Sequence, residues 1–249
     1  MSGAENHSQC KPRLSLAKRV TSEAVGTALL VATVVGSGIM AERLSGGNIA
    51  LALLANTLAT GAALVALILT FGPISGAHFN PVVTFADALE RGIPWKEAPA
   101  YVVAQVLGGV AGTMCAHMMF GLPILSASRH ARSGTAQLFS EFVATFGLLA
   151  VIWGCSRLRS SVVAFAVGSY ITAAYWFTAS TSFANPAVTI ARSLSDTFAG
   201  IRPADVAGFI LAQFLGGITA TLLFRWLAPG LIANAKDVLV PHNAIKEIE

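Results

Sequence analysis

Six stretches of about 20 mostly apolar residues occur in this chain of 249 residues, and each is long enough to cross a bilayer as a helix. Only 11% of the residues are charged, whereas a soluble domain carries about a quarter. The pattern predicts an all-α membrane protein with six spans, at Val20–Met40, Ile49–Phe71, Ala98–Phe120, Ala136–Cys155, Val162–Thr181 and Val206–Leu227.

The remaining composition excludes several classes of function. The formal charge of +4 comes from Lys and Arg beside the spans, where such residues set orientation, so we predict no nucleic-acid partner. Cys10, Cys115 and Cys155 are scattered without metal-ligand spacing, which indicates no metal site, and nothing points to a cofactor. No nucleophile, base and orienting group recur at suitable spacing, so an enzyme is not expected.

Basic residues also predict the orientation. If both termini are cytoplasmic, 11 of the 16 Lys and Arg residues lie on that side, as the positive-inside rule requires. We therefore predict a multi-pass protein of the cell (inner) membrane, with the lipid bilayer as its surroundings. Residues 1–19 and 229–249 are expected to be cytoplasmic tails around a membrane domain at 20–228.

Two short apolar segments lie between the spans, and they share a motif. "FNPVVTFADA" begins at Phe79 and "FANPAVTIARS" at Phe183. Two further landmarks recur in the same order, since "SEAVGTALLVATVVG" is echoed by "SEFVATFGLLAVIWG" and "VVAQVLGGVAGT" by "FILAQFLGGITAT". The chain is therefore predicted to be a duplication, with repeats at about 20–120 and 136–228. Because each repeat has three spans, the two must enter the membrane from opposite sides.

The Asn-Pro pairs predict how the short segments fold. Asn is a strong N-cap, and Pro at the first helical position lacks the amide hydrogen that would otherwise be unpaired. Each segment is thus expected to start a half-helix that enters the membrane without crossing it, and the two starts can meet near the midplane. Asn80 and Asn185 would then offer amide donors to a solute, while the helix dipoles oppose cations.

With these motifs in matching positions, and with "SGAHFNP" at Ser75, the chain resembles the aquaporin and aquaglyceroporin (major intrinsic protein) family over nearly its whole length. The resemblance implies six spanning helices plus two re-entrant half-helices, one pore per subunit and a homotetramer. It places six residues at the pore midplane: Asn80, Pro81, Val82, Asn185, Pro186 and Ala187.

Three further polar residues have two readings each. Glu23 and Glu141 are carboxylates within spans, and could form a proton relay or, as the resemblance implies, accept hydrogen bonds from the re-entrant loop of each repeat. We favour loop support, because there is one carboxylate per repeat. His78 precedes the first motif and could line the pore or be packed and hydrogen-bonded.

The resemblance also implies a selectivity filter of four side chains. Counting from the two Asn residues places it at Thr60, Ala173, Ser182 and Val188, where the last three counts assume no gap around the second motif. The family usually has Arg in the position of Val188. Four small uncharged side chains predict a pore that is wider and less polar than usual.

Arg192 lies four residues beyond Val188, about 6 Å farther along a helix and on nearly the same face. It could reach the extracellular vestibule of the pore. Alternatively, it could pair with Asp196 or with a neighbouring subunit.

A wide filter suits neutral solutes that are bulkier than water. "NPAVTIARSLSDTFAG" is similar to the aquaporin-type channels of bacterial arsenic-resistance operons, which places arsenite, antimonite or organoarsenicals first. A general facilitator of glycerol and water is the alternative within channels, and an ion-coupled secondary transporter is the alternative from another class.

Overall fold

The computed structural model describes residues 14–158 and 160–227. Eight α-helices follow one another in this part of the chain, and no strand is found in it. They are α1 (Leu16–Leu44), α2 (Ile49–Ser75), α3 (Pro81–Leu89), α4 (Ala98–Met119), α5 (Thr135–Leu158), α6 (Val163–Phe177), α7 (Pro186–Arg192) and α8 (Val206–Leu227). The predicted architecture of six spans and two half-helices is confirmed, with α3 and α7 as the half-helices.

The spans differ in length from the sequence prediction most clearly at the fifth span. Five helices are long and apolar enough to cross a membrane, whereas α6 has only 15 residues. The predicted fifth span to Thr181 was too long, because the backbone leaves the helix at Thr178 and forms the loop that leads into α7. Apolar composition alone does not distinguish the last helical turn from this loop.

The first helix begins earlier than predicted. The side chain of Ser15 accepts a hydrogen bond from the backbone N–H of Lys18 and caps α1, which therefore includes the end of the predicted tail. The rest of the predicted N-terminal tail and the predicted C-terminal tail, 229–249, lie outside the described residues.

Glycines allow equivalent helix pairs of the two repeats to pack at backbone distance. A Cβ atom on Gly108 of α4 would lie 2.3 Å from the carbonyl oxygen of Ala24 in α1. A Cβ atom on Gly216 of α8 would lie 2.3 Å from the carbonyl oxygen of Phe142 in α5. Small residues at such crossings are typical of membrane helix pairs.

The two repeats also meet directly, where α2 crosses α6. A Cβ atom on Gly168 would lie 2.7 Å from the carbonyl oxygen of Gly61, and one on Gly61 would lie 3.0 Å from that of Gly168. This crossing joins equivalent helices of the repeats.

Polarity is distributed as a membrane requires. Leu58, Leu107 and Leu211 are more than half exposed on the outer faces of their helices, while Glu23 and Glu141 are fully buried. The interior is where polar groups find partners, since hydrocarbon offers none.

Candidate functional site

The half-helices α3 and α7 begin at the two Asn residues that the sequence singles out. The side-chain oxygen of Asn80 accepts a hydrogen bond from the N–H of Val82, and that of Asn185 accepts from Ala187 and Val188. Pro81 and Pro186 occupy the first helical position. Each Asn therefore acts as N-cap through its oxygen, which leaves its amide nitrogen for other partners.

Those amide groups bind the two repeats together. Asn80 Nδ2 donates to the carbonyl oxygen of Ala184 at 2.8 Å, and Asn185 Nδ2 donates to that of Phe79 at 2.7 Å. Because an amide nitrogen has two hydrogens, each Asn keeps one donor beyond this reciprocal pair. Both side chains line a central cavity, so the remaining donors are available to a solute.

The loops that lead into the half-helices are strained in the same way in both repeats. Ala77 and Phe79 in the first, and Ser182 and Ala184 in the second, have φ values of 48° to 50° although none is glycine. Such left-handed backbone is costly for these residues and needs support from its surroundings.

Glu23 and Glu141 supply that support. Glu23 accepts hydrogen bonds from the backbone N–H of His78 (3.0 Å) and Phe79 (2.7 Å). Glu141 accepts them from Phe183 and Ala184, both at 2.9 Å. Neither carboxylate lines the central cavity.

A glutamine completes each network. Gln105 Nε2 donates to Glu23 (2.8 Å) and Thr84 (2.8 Å). Gln213 Nε2 donates in the same way to Glu141 (2.6 Å) and Thr189 (2.9 Å). The structure therefore places both carboxylates as the loop-support hypothesis requires. Sequence reasoning missed the glutamines, although "AQVLGG" and "AQFLGG" repeat in the two halves.

The central cavity lies between the helices and the half-helices, and its empty space of ≈ 630 Å³ includes the part that is open to solvent. Most of its wall is aliphatic, from Leu30, Val34, Leu64, Ile68, Leu148, Ile152, Val167 and Ile171. Its polar side chains are few: Thr60, His78, Asn80, Tyr175, Ser182, Asn185 and Arg192. An apolar wall with a few convergent hydrogen-bonding groups is the usual form of a site for a small molecule.

The structure corrects one of the four predicted filter positions. Thr60, Ser182 and Val188 line the cavity, but Ala173 is exposed on the outer face of α6. Two residues along a helix turn the side chain by about 200°, so Tyr175 points inward where Ala173 points outward. The loop before α7 is shorter than the count assumed.

Tyr175 is thus a cavity residue that sequence reasoning missed. Its hydroxyl lies 3.3 Å from Thr60 Oγ1, and its side chain is buried. The run "YWF" suggests aromatic anchoring at the membrane interface, and Trp176 and Phe177 are indeed exposed. Tyr175 differs from its two neighbours in the direction of its side chain, which points into the cavity rather than outward.

Arg192 lines the cavity one turn beyond Val188. Its guanidinium carbon lies 3.4 Å from the ring centroid of Phe183, and its Nε donates to the carbonyl oxygen of Ala199. The alternative pairing with Asp196 is not found, because Asp196 binds the backbone N–H and the guanidinium of Arg129.

His78 both lines the cavity and is packed with a hydrogen bond, so the two alternatives do not exclude each other. The ring lines the cavity, and it is also hydrogen-bonded, with Nδ1 3.1 Å from Thr84 Oγ1. Its Nε2 lies 3.4 Å from the Asp87 carboxylate.

A second buried arginine was not anticipated. Arg132, in the loop before α5, donates from Nε to the carbonyl oxygen of Gly200 and from Nη1 to that of Ser180. Burial lowers the pKa of Arg132 to about 10, so the side chain stays charged at neutral pH. The sequence gives no signal for it, because the surrounding loop is polar like any exposed loop.

This geometry agrees with the comparison to family models, in which the model of the major intrinsic protein family matches residues 11–163 and 156–249. The chain belongs to the major intrinsic protein family. Its members are membrane channels rather than enzymes, so this member is a multi-pass channel for small solutes.

Individual relatives support this membership in the major intrinsic protein family. Aquaglyceroporin AqpS of Rhizobium meliloti (strain 1021) is 56% identical over 212 residues, which is 85% of this chain and 91% of the relative. Probable aquaporin NIP7-1 of Arabidopsis thaliana is 31% identical over 211 residues, covering 83% and 75%.

A solved structure gives the same fold. The X-ray structure of the aquaglyceroporin from Plasmodium falciparum has a TM-score of 0.69, with 20% identity, and the match covers 87% of this chain and 99% of the other. At this identity the likeness concerns the fold alone.

Proposed function

We propose that the chain is a passive channel for neutral hydroxylated solutes bulkier than water, with arsenous and antimonous acid or organoarsenicals ranked before glycerol. The proposal rests on the identity and the place of one residue, Val188. It is a buried residue of the cavity wall, in the position where the resemblance to the family leads us to expect Arg.

Size and polarity of the wall support this solute class. A valine leaves more room than an arginine and removes a charge, while the hydroxyl side chains of Thr60, Tyr175 and Ser182 still line the cavity. A compact molecule with several hydroxyls can exchange its hydrogen bonds to water for these groups and the Asn amides. The ranking of metalloids before glycerol rests on the similarity of "NPAVTIARSLSDTFAG" to channels of arsenic-resistance operons, while the name aquaglyceroporin AqpS favours solutes of the glycerol class.

The contacts of the carboxylates favour a channel over an ion-coupled transporter. A coupling site needs a carboxylate that can exchange its partners during transport. Glu23 and Glu141 instead hold strained backbone, and neither lines the cavity. Proton exclusion is assigned to the two half-helix N-termini and the Asn pair, which the replacement at Val188 leaves unchanged.

We further propose that the channel lies in the cell (inner) membrane as a homotetramer with both termini in the cytoplasm. Lys18, Arg91, Lys96 and Arg225 would then lie on the cytoplasmic side, which the positive-inside rule favours. The C-terminal end of α7, with Arg192, would face the outside.

A liposome uptake panel tests the substrate proposal. Purified channel is reconstituted, and the entry of water, glycerol and arsenous acid is measured for the original chain and for Val188→Arg. We expect the substitution to reduce glycerol and arsenous acid entry at least tenfold more than water entry, because a long cationic side chain narrows the cavity. Unchanged entry of the larger solutes would remove Val188 from the constriction.

A matched pair of milder variants controls for general damage. Val83 occupies the position in α3 that Val188 occupies in α7, and both line the cavity. Val188→Leu should lower glycerol entry more than Val83→Leu. Flux that saturates or depends on a proton gradient would favour a coupled transporter, and entry of water and glycerol without arsenous acid would favour a general facilitator.

A further inference from the structure

Two buried guanidinium groups face the same aromatic ring at the α7 end of the cavity. The guanidinium carbon of Arg192 lies 3.4 Å from the ring centroid of Phe183, and that of Arg132 lies 5.0 Å from it. Arg192 is 1% exposed and Arg132 is 9% exposed. Two positive charges are therefore held close together and largely away from bulk water.

Within residues 14–158 and 160–227, neither guanidinium group has a carboxylate at ion-pair distance. Asp196 is bound by Arg129, and Asp205 by the side chain of Arg202 and the backbone N–H of Arg132. The negative charge of Glu141 favours the charged form of both arginines from a greater distance. Its oxygens accept hydrogen bonds from the loop and from Gln213 instead. Buried charges usually have a paired counter-ion, and this pair has none in the described chain.

Hydrogen-bond donors at the same place also lack acceptors. The one hydrogen bond that the side chain of Arg192 donates in the described part of the chain is from Nε to Ala199, so its two terminal amino groups have no acceptor there. The hydroxyl of Ser182 is buried and without a partner among the described residues. Both side chains line the cavity, so the unused donors converge on the space that a solute would occupy.

We propose that Arg192, Arg132 and Ser182 form a binding subsite for a small monovalent oxyanion at the end of the cavity beside Arg192, which we call the α7 mouth. The two terminal amino groups of a guanidinium form a planar fork that matches the two oxygens of a carboxylate. The serine hydroxyl adds a third donor, and the guanidinium of Arg132 adds a second positive charge beside the ring of Phe183. This ligand differs from the neutral solutes of the proposed function, and its site is at one end of the same cavity.

Within the part of the chain that the structure describes, an anion bound there has no equivalent site to move to. Beyond the Asn pair the cavity wall is aliphatic. At the other end of the cavity His78 lies beside the Asp87 carboxylate, whose negative charge repels an anion. The oxyanion therefore occupies the mouth without crossing. Because neutral solutes pass through the same mouth, its binding should slow their entry.

Thermal unfolding of the purified full-length channel in detergent measures binding without reference to transport. Formate is the probe, formamide is its uncharged analogue of similar size, and sodium chloride matches the ionic strength. At ten times its Kd, formate should raise the melting temperature by about 3 °C, because a ligand of the folded state stabilises it. Formamide should have no effect. An equal shift with chloride, or none with formate, would overturn the oxyanion site.

Three variants locate the effect. Arg192→Gln should abolish the formate shift. Ser182→Ala, which breaks no hydrogen bond in the described chain, should weaken formate binding several-fold while leaving the melting temperature without formate unchanged. Arg129→Gln changes the same charge on an exposed side chain of the same mouth and should respond like the original chain. A shift that survives both Arg192→Gln and Ser182→Ala would place the anion elsewhere.

The transport arm keeps this proposal separate from the proposed function. Glycerol entry into liposomes should fall at least twofold in formate relative to chloride, and Arg192→Gln should remove that inhibition. Glycerol entry that formate does not slow, together with a formate melting shift, would overturn binding at the mouth but leave the neutral-solute channel intact. Absence of both glycerol entry and arsenous acid entry would contradict the proposed function, while the melting shift would still decide the anion site.

Discussion

The two half-helices share one backbone framework but carry opposite chemistry about two turns beyond each Asn. In both repeats a carboxylate and a glutamine hold the lead-in loop, and an Asn caps the half-helix. Yet His78 and Asp87 of the first repeat correspond to Phe183 and Arg192 of the second, each 105 positions later. An imidazole beside a carboxylate faces one end of the cavity, and an aromatic ring beneath a guanidinium faces the other.

The difference shows which positions a duplicated pore can vary. The framework residues satisfy buried backbone groups, and their loss leaves donors without acceptors inside the membrane. On the second turn of the half-helices, Arg192 donates its side-chain hydrogen bond within its own repeat, to Ala199, and Asp87 holds the equivalent position in α3. They can change charge without disturbing the junction of the half-helices, and so they are free to set selectivity.

The largest expected effect concerns the framework. Glu23→Gln and Glu141→Gln each replace one of two acceptor oxygens by an NH2 group that cannot accept, and a hydrogen bond to a charged group contributes about 1.5–3 kcal/mol. Each variant should lower the melting temperature by about 5 °C or more. The loss should be greater at Glu23, which also accepts a hydrogen bond from Ser75 at 2.6 Å. A thermal melt in detergent measures this, and tolerance of either substitution would mean that the repeats are not equivalently supported.

The next effect tests the helix pairs. Gly108→Ala and Gly216→Ala place a Cβ 2.3 Å from a carbonyl oxygen of the facing helix, so backbone must move. Overpacking of this kind costs about 1–3 kcal/mol, and we expect similar losses of stability in both repeats. Gly154→Ala is the control, because its Cβ would be 3.7 Å from the nearest side-chain atom. A control variant that melts as low as the other two would contradict the role of close packing.

A smaller effect separates the two ends of the cavity. Asp87→Asn removes a buried charge at the position that corresponds to Arg192, and it should change the response of glycerol entry to formate by less than twofold. The response should be lost in Arg192→Gln. If Asp87→Asn abolished formate inhibition, the anion would not be confined to the α7 end.

The smallest effect concerns the loop beyond α7. The backbone N–H and the guanidinium of Arg129 lower the pKa of Asp196 below its usual range. A carboxylate with a lowered pKa contributes stability above its unfolded pKa of about 3.9, and this contribution is lost as the pH falls through the folded value. The original chain should therefore melt slightly above Asp196→Asn at pH 7, and the difference should shrink as the pH falls below about 4. A difference that stayed constant from pH 7 through the acid range would assign the stabilisation to something other than this ion pair.

Much of the site follows from sequence because it depends on local chemistry. Asn80 and Asn185 before proline specify capped half-helices, and their repetition at matching positions specifies an inverted pair. Val188 was placed correctly on the cavity wall because it lies only three residues from Asn185 along a continuous helix.

Residues that act across a loop or between elements were not predictable in this way. Ala173 was assigned to the filter from a count across the loop before α7. A difference of two residues in that count turns the side chain to the opposite face of the helix, so Tyr175 lines the cavity instead. Arg132 reaches the ring of Phe183 only because its loop folds over the mouth.

By itself the sequence determined the class of molecule, the duplication and the meeting of the half-helices, since span length, helix capping and repeat order are properties of the chain. Only the tertiary structure decided which side chains share the cavity. It put Arg192 on the wall rather than beside Asp196, and it brought Arg132 and Ser182 to the same mouth. The physical reason is that a cavity is formed by residues distant in sequence, whose directions depend on loop lengths and on helix rotations that apolar periodicity does not record.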